Sequence, residues 1–392
     1  MRFLTVVVSL GFGILRAATA ADSIPSAPGP AQLNNQGVML AAQGRYAEAE
    51  AAYRQALDGW ARSAEPSEIV RDQARTLENL GSLLGKTGRY AESERTLTEA
   101  LTLLENATGK SSTDVGEVLE NLATLYLTKG EAQKAESCTL RADTMLAGPE
   151  RTNNKVVLAS IYIDEHRFAD ARTILEPLLP AATGKLEFSV DAALGAAALG
   201  EAKLPEAETL ARRALEIAST ALPPNYIGLA AVWNNLGQVC RFQKRYLEAE
   251  TNYRKAIEIW TAARGPESPL VAHGWMNLAA FEHERGREHA AEELYRRAET
   301  IFEQAAGKDD LLALIAHNEL GEVLRAQGRY VASAQFSRES LPAIQKLLPE
   351  NDLRVLRALS NYARLLADTK RKAEATALWA HIKNSLVDAP IQ

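Results

Sequence analysis

The densest set of metal-ligating side chains in this chain is Glu282-His283-Glu284, followed by His289. Two histidines that hold zinc from one helix face stand about four residues apart. His283 and His289 stand six apart with Gly286 between them, so they read as solvated surface. His166 falls at a turn position and His317 at a core-facing helix position. There is no Gly-rich phosphate loop and no Gly-x-Ser-x-Gly elbow. Cys138 and Cys240 are the only cysteines, too few for a disulfide framework, and they read as small buried hydrophobes. No catalytic residue, metal or cofactor is expected, and the chain is read as a non-enzyme. The recurrent chemistry is that of amides. Asn35, Asn79, Asn121, Asn235, Asn277 and Asn361 return at one place in a repeating frame. An asparagine carries both donor and acceptor groups, so a ladder of them can clamp an extended peptide backbone. The alternative use is a bond to the neighbouring helix. Arg241 and Arg325 share the face and can take acidic side chains or a carboxylate through charge-assisted bonds.

The frame that positions these residues is an internal repeat. A small residue recurs at Gly37, Gly81, Ala123, Ala159, Gly195, Gly237, Ala279, Gly321 and Ala363, with spacings of 44, 42, 36, 36, 42, 42, 42 and 42. A second small residue follows each after 12 positions: Ala49, Ser93, Ala135, Ala171, Ala207, Ala249, Ala291, Ser333 and Ala375. Two small residues at a fixed offset let two helices approach closely. Between them lies a turn, marked in five repeats by Gly44, Gly88, Gly130, Gly286 or Gly328, where glycine supplies the positive φ that ends a helix. Bulky residues four places beyond the second small one, such as Tyr53, Leu97, Leu175, Tyr253, Tyr295 and Trp379, fill the neighbouring gap.

Helical phase divides the first helix of each hairpin. With the first small residue as position 8, positions 4, 7, 8 and 11 form the core side, and positions 2, 5, 6, 9, 12 and 13 form the opposite, inner side. The recurrent asparagine is position 6. The inner side offers Arg75, Glu78, Lys86, Glu117 and Glu120 early in the chain. In the middle it turns apolar at Leu127, Val156, Ile163, Ala192, Ala196 and Leu199, which reads either as a floor for a ligand or as surface buried between repeats. Late in the chain it offers Arg241, His273, His283, Arg325, Arg357 and Arg364 with Glu284 and Glu322.

Segments such as Asn234-Asn235-Leu236-Gly237, Ala249-Glu250-Thr251-Asn252-Tyr253-Arg254-Lys255-Ala256 and Gly265-Pro266-Glu267-Ser268-Pro269 resemble the tetratricopeptide repeat in the 42-residue form of the kinesin light chain family. The resemblance spans residues 31–386 and departs from that form in the fourth and fifth repeats. It implies an all-α, right-handed superhelical solenoid of about nine helical hairpins. It also implies a binding module for a peptide or protein, with position-6 asparagines on the ligand surface.

The chain opens with Arg2, an apolar run from Phe3 to Leu15, and Ala18-Thr19-Ala20, the layout of a cleavable secretory leader over 1–20. The run is short of the roughly 20 residues of a membrane span. A Pro- and Gly-containing linker is expected over 21–32 and the solenoid over 33–388. Net charge is −6, and loss of Arg2 and Arg16 with the leader makes the chain more acidic still, which disfavours nucleic-acid partners. The expected protein is secreted or periplasmic, a scaffold that holds a peptide or protein partner in its concave groove. The alternative is an assembly subunit of an envelope complex that uses its convex face or its open ends; the last helix carries Trp379, Ile382 and Leu386 with no polar capping helix after it.

Overall fold

In the computed structural model, which describes residues 28–62 and 66–387, the 12-residue offset becomes the crossing point of paired helices. A Cβ added to Gly237 would lie 2.8 Å from the Tyr253 ring, and one added to Gly81 would lie 2.7 Å from Leu97 Cγ. Ser93 uses the same proximity, its Oγ donating to the Gly81 carbonyl at 2.7 Å. The small side chains are therefore requirements of axis spacing and not incidental composition.

The described residues form eighteen α-helices with no strand, in two compact units that meet between Val232 and Trp233. In the N-terminal unit α1 (Pro30–Ala42) pairs with α2 (Tyr46–Ala61), α3 (Pro66–Lys86) with α4 (Tyr90–Thr108), and α5 (Thr113–Thr128) with α6 (Ala132–Asp143). The fourth and fifth hairpins are α7 (Gly148–Asp164) with α8 (Phe168–Leu175), and α9 (Lys185–Gly200) with α10 (Leu204–Ala221). α11 (Gly228–Phe242) contains the boundary, and its later turns pair with α12 (Tyr246–Arg264). The C-terminal unit continues with α13 (Pro269–Glu284) on α14 (Glu288–Ala306), α15 (Leu311–Ala326) on α16 (Tyr330–Leu347), and α17 (Leu353–Asp368) on α18 (Lys372–Val387). The leader expected over 1–20 lies outside the described residues. α1 begins at Pro30, so the expected linker stops short of 32; proline suits the first helical turn, where its missing N–H has no intrahelical partner anyway.

The shorter fourth repeat has a local cause. α8 is 8 residues long and gives way to a 3₁₀ segment, Glu176–Ala181, which contains Pro177 and Pro180. Proline removes the donors that would extend the helix.

All nine hairpin turns place one residue at positive φ just before the second helix: the five glycines, and His166, Ala202, Lys244 and Lys370 at φ 60 to 66°. A side chain there costs roughly 1–2 kcal/mol, which the packed hairpins offset. The arginine that follows the turn clasps two elements. Arg89 meets Glu92 in its own helix at 2.6 Å and Glu50 in the preceding hairpin at 2.7 Å, and Arg329 reaches Glu292 at 2.9 Å in the same manner. Several first helices start on side-chain caps: Ser112 Oγ accepts from the Val115 N–H, and Asp310 Oδ1 from the Leu312 N–H.

Consecutive hairpins within each unit share cores. Leu83 of α3 packs with Ala49, Ala52 and Tyr53 of α2, Ile161 of α7 with Ala135 of α6, and Phe281 of α13 on Tyr253 of α12 with ring centroids 5.8 Å apart. Cys138 and Cys240 are free thiols. None of the described helices is long and apolar enough to cross a membrane.

Candidate functional site

The first helices carry the candidate residues, and helix stacking decides what their side chains meet. In the C-terminal unit Asn277 donates through Nδ2 to Asn234 Oδ1 at 2.9 Å, and Asn361 donates to Asn318 Oδ1 at 2.9 Å. The N-terminal unit repeats the pattern: Asn79 donates to Asn34 Oδ1 at 3.0 Å, and Asn121 to Glu78 Oε1 at 2.6 Å. In each case position 6 of one hairpin bonds position 5 of the hairpin before it. Four of the six candidate asparagines thus spend an amide hydrogen between helices, because a half-buried amide takes the nearest acceptor. Asn35 is exposed on α1 and makes no such bond among the described residues.

Asn235 differs. It is 6% exposed, and its Oδ1 has no hydrogen-bond partner among the described residues. Asn234 and Gln238, also on α11 at positions 5 and 9, each leave an amide nitrogen without a partner. The sequence marks Asn234 only as part of the family-like segment Asn234-Asn235-Leu236-Gly237, and Gln238 carries no recurring signal. The two arginines are engaged. Arg325 bonds Glu322 at 2.8 Å and also Asp368. Arg241 is buried, its Nε lying 3.4 Å from Glu284 Oε2 and its guanidinium 4.8 Å from the Phe242 ring centroid. Both follow one rule, position 12 of a hairpin to an acid at position 13 of the next. Arg357 to Glu319, and Arg364 to Glu322 at 2.9 Å, complete a charge lattice across α15 and α17. That lattice consumes the basic character expected of this face.

Most of the apolar middle is closed. Val156, Ile163, Ala196 and Leu199 are buried, Leu127 and Ala192 are half-buried, and α7 touches α9 directly, so most of this stretch is packing surface between repeats. His283 Nδ1 sits 2.6 Å from Glu288 Oε2, and no three potential metal ligands gather among the described residues. His317 stacks on Phe336 at 4.1 Å between Glu299 and Glu339, and burial holds His273 down to about 4.

The first-helix face of the N-terminal unit is acidic. Burial, then the charge of Glu117, pushes Glu78 up to about 8 and Glu120 up to about 7. The folded unit therefore holds more protons than the unfolded chain between about pH 4.5 and 8. Stability from these carboxyls is fullest at the acid end of that window and is lost as pH rises through it. Glu78→Gln keeps an acceptor for Asn121 and removes the charge. It should stabilise the unit by roughly 1–3 kcal/mol at pH 9, allowing for partial exposure, and by almost nothing near pH 4. Thermal melts across that range check the sign; a gain that grows toward acid contradicts the assignment.

Tetratricopeptide repeat models match residues 72–142, 187–262 and 228–304, residues 31–66, and residues 284–346. No curated protein matches the chain. Among solved structures, a Rap protein complexed with Competence and Sporulation Factor aligns with a TM-score of 0.64 at 16% identity, covering 91% of this chain and 97% of that one. NprR in complex with its cognate peptide NprX aligns with a TM-score of 0.50 at 14% identity, covering 70% of this chain and 78% of that one. The nearly identical repeats of a putative kinesin light chain from Podosopora anserina align with a TM-score of 0.41 at 16% identity over 52% of this chain and 96% of theirs. At such identities the likeness to the solved structures is one of fold. The helix pairs, their small-residue crossings and the repeat matches together make this chain a member of the tetratricopeptide repeat family.

Proposed function

We propose that the chain is an exported interaction scaffold, not an enzyme, and that its C-terminal unit binds an extended peptide across the inner sides of α11 and α13. The observation that carries this reading is the set of unmatched amide atoms on α11. Asn234 and Gln238 each have an unpartnered donor nitrogen, and Asn235 an unpartnered acceptor oxygen. Buried polar atoms without partners are uncommon and costly, and a peptide main chain that displaces the side chains covering these three supplies both complements along one strand. Asn277 then acts as the splint that fixes Asn234 in place. NprR with its cognate peptide, and the Rap protein with Competence and Sporulation Factor, support a scaffold of this kind. The export half of the reading rests on Arg2, the run Phe3 to Leu15 and Ala18-Thr19-Ala20.

The test starts with a pull-down from the exported fraction, with the chain as bait. The recovered partner is then titrated against Asn235→Ala, Gln238→Ala and the exposed second-helix change Leu247→Ala. Each amide change should weaken binding by roughly 0.5–1.5 kcal/mol and leave the melt intact. Loss of binding in Leu247→Ala, with both amide variants at parental affinity, would move the site to the other side of the hairpins. Intact mass of the exported chain checks for a start at Ala21.

A further inference from the structure

In four successive hairpins position 4 of the first helix meets the same place on the second helix, 22 residues on. In the fifth, Asp191 holds Arg213 in an ion pair. In the sixth, the Lys255 ammonium lies 4.0 Å from the Trp233 ring centroid, and in the seventh the Arg297 guanidinium lies 4.7 Å from that of Trp275. Lysine and arginine keep their protons across the ordinary pH range, so these contacts do not change with it. The eighth hairpin reverses the arrangement. His317 of α15 takes position 4 and Glu339 of α16 replaces the cation, its Oε2 3.2 Å from His317 Nε2. The preceding hairpin adds a second carboxylate, Glu299 of α14, which meets His317 Nδ1. One repeat earlier and one repeat later the residue in the place of Glu299 is Ile257 or Leu341.

Two carboxylates on the two ring nitrogens decide which form of the ring suits the site. A neutral imidazole has one N–H and one lone pair, so it satisfies one carboxylate and turns its lone pair on the other. The imidazolium donates to both. The ring is half-buried and lies nearly flat on Phe336, with centroids 4.1 Å and planes 20° apart, which holds its orientation. Glu339 is steadied in turn by Gln335, whose Nε2 donates to its Oε1 at 3.0 Å. The charged residue nearest to His317 along α15, Glu319, is bound by Arg357 of α17. The charges that bear on the ring are therefore those of Glu299 and Glu339. Burial, the largest single influence, pushes the His317 pKa down, but the hydrogen bonds and charges of the two carboxylates together carry it above the usual histidine value.

The seam that this ring spans lacks the amide bond found on either side of it. Position 6 of the eighth hairpin is Glu319 and position 5 of the seventh is Met276, so no amide hydrogen crosses as it does from Asn277 to Asn234 or from Asn361 to Asn318. Besides His317, the two hairpins are joined by an apolar core that includes Phe302 and Leu312, and by the clasp of Arg329 on Glu292. We propose that this seam is a proton-operated latch: the His317 imidazolium ties α14 to α16 through Glu299 and Glu339, and loss of its proton loosens the eighth hairpin on the seventh. The sign follows from linkage. A histidine that holds its proton more tightly when folded adds its stability in full below about pH 6.5, its unfolded value, and loses it as pH rises through the folded value. Above that point Glu299 and Glu339 face a ring with no charge to offset theirs. The latch is independent of the peptide reading for α11 and α13.

The experiment follows the full chain between about pH 5.5 and 9 by NMR of its histidine rings and by amide hydrogen exchange corrected for the intrinsic effect of pH. His317→Gln identifies the His317 resonance by its loss. The His317 midpoint should lie above that of an ordinary histidine, and Glu299→Gln should shift it down. Protection of the α15 and α16 amides, relative to those of α12, should fall in the parent as pH rises through that midpoint, and the fall should be lost in His317→Gln. Circular dichroism checks that the variants are folded. Should His317→Gln not fold, Glu299→Gln carries the same test, because the fall in protection should then begin at lower pH together with the midpoint. A His317 midpoint at or below the ordinary value overturns the proposal. So does a fall in protection that is the same in parent and variants, which would place the pH dependence in other groups.

Discussion

Arg213→Ala will lower the stability of the N-terminal unit by about 2–3 kcal/mol at neutral pH, the buried-pair cost discounted because the Arg213 side chain is 47% exposed, and still one of the two largest single-site losses expected in this molecule. Asp191 of α9 is fully buried, and Arg213 of α10 brackets it with Nε on one carboxylate oxygen and Nη2 on the other. Removal of the guanidinium leaves a carboxylate in apolar surroundings with its partner gone. The cost is that of the stranded ion and not the worth of the pair. The double change Asp191→Leu with Arg213→Met should therefore recover most of the loss, since it removes the buried carboxylate that the half-exposed guanidinium serves. Hydrogen exchange of the α9 and α10 amides is the appropriate readout, because in a repeat array a defect is felt chiefly by its neighbours. Protection unchanged in Arg213→Ala would show that the pair is not what holds the fifth hairpin.

Trp260→Ala will cost the C-terminal unit more, about 3–5 kcal/mol. Trp260 of α12 is fully buried where α13 presents Gly274 instead of a side chain. A Cβ at that glycine would come within 2.6 Å of Ile257 Cγ1 and 3.1 Å of Trp260 Cζ3. The indole thus fills a space cut for it, and its removal opens a cavity at the seam of two hairpins. Its Nε1 has no hydrogen-bond partner among the described residues. Trp260→Phe should in consequence cost less than about 1.5 kcal/mol, because it keeps most of the volume and discards an unpaired donor. Urea melts of the two variants separate the terms. Equal losses in both would mean that the indole nitrogen, through an ordered water, matters more than the volume.

The architecture was legible because its cause is local. Gly81 with Ser93 and Gly237 with Ala249 stand 12 residues apart, and only small side chains there let two helix axes approach so closely. The turns at Ala202, Lys244 and Lys370 were harder to place. They adopt the left-handed backbone without glycine, held by hairpin packing that no short window of sequence displays.

The candidate site divides along the same line. Helical phase alone put Asn79, Asn121, Asn277 and Asn361 on one side of the first helices. Whether those amides wait for a ligand or bond the next helix depends on the spacing between hairpins, which the tertiary structure sets at hydrogen-bond reach. The late arginines follow suit: their types announced a basic face, and stacking placed Glu319, Glu322 and Asp368 against them. Periodicity likewise made Trp379 an ordinary gap-filling residue. Only the tertiary structure shows it 40% exposed, because burial is conferred by what packs against a side chain and not by its phase in the repeat.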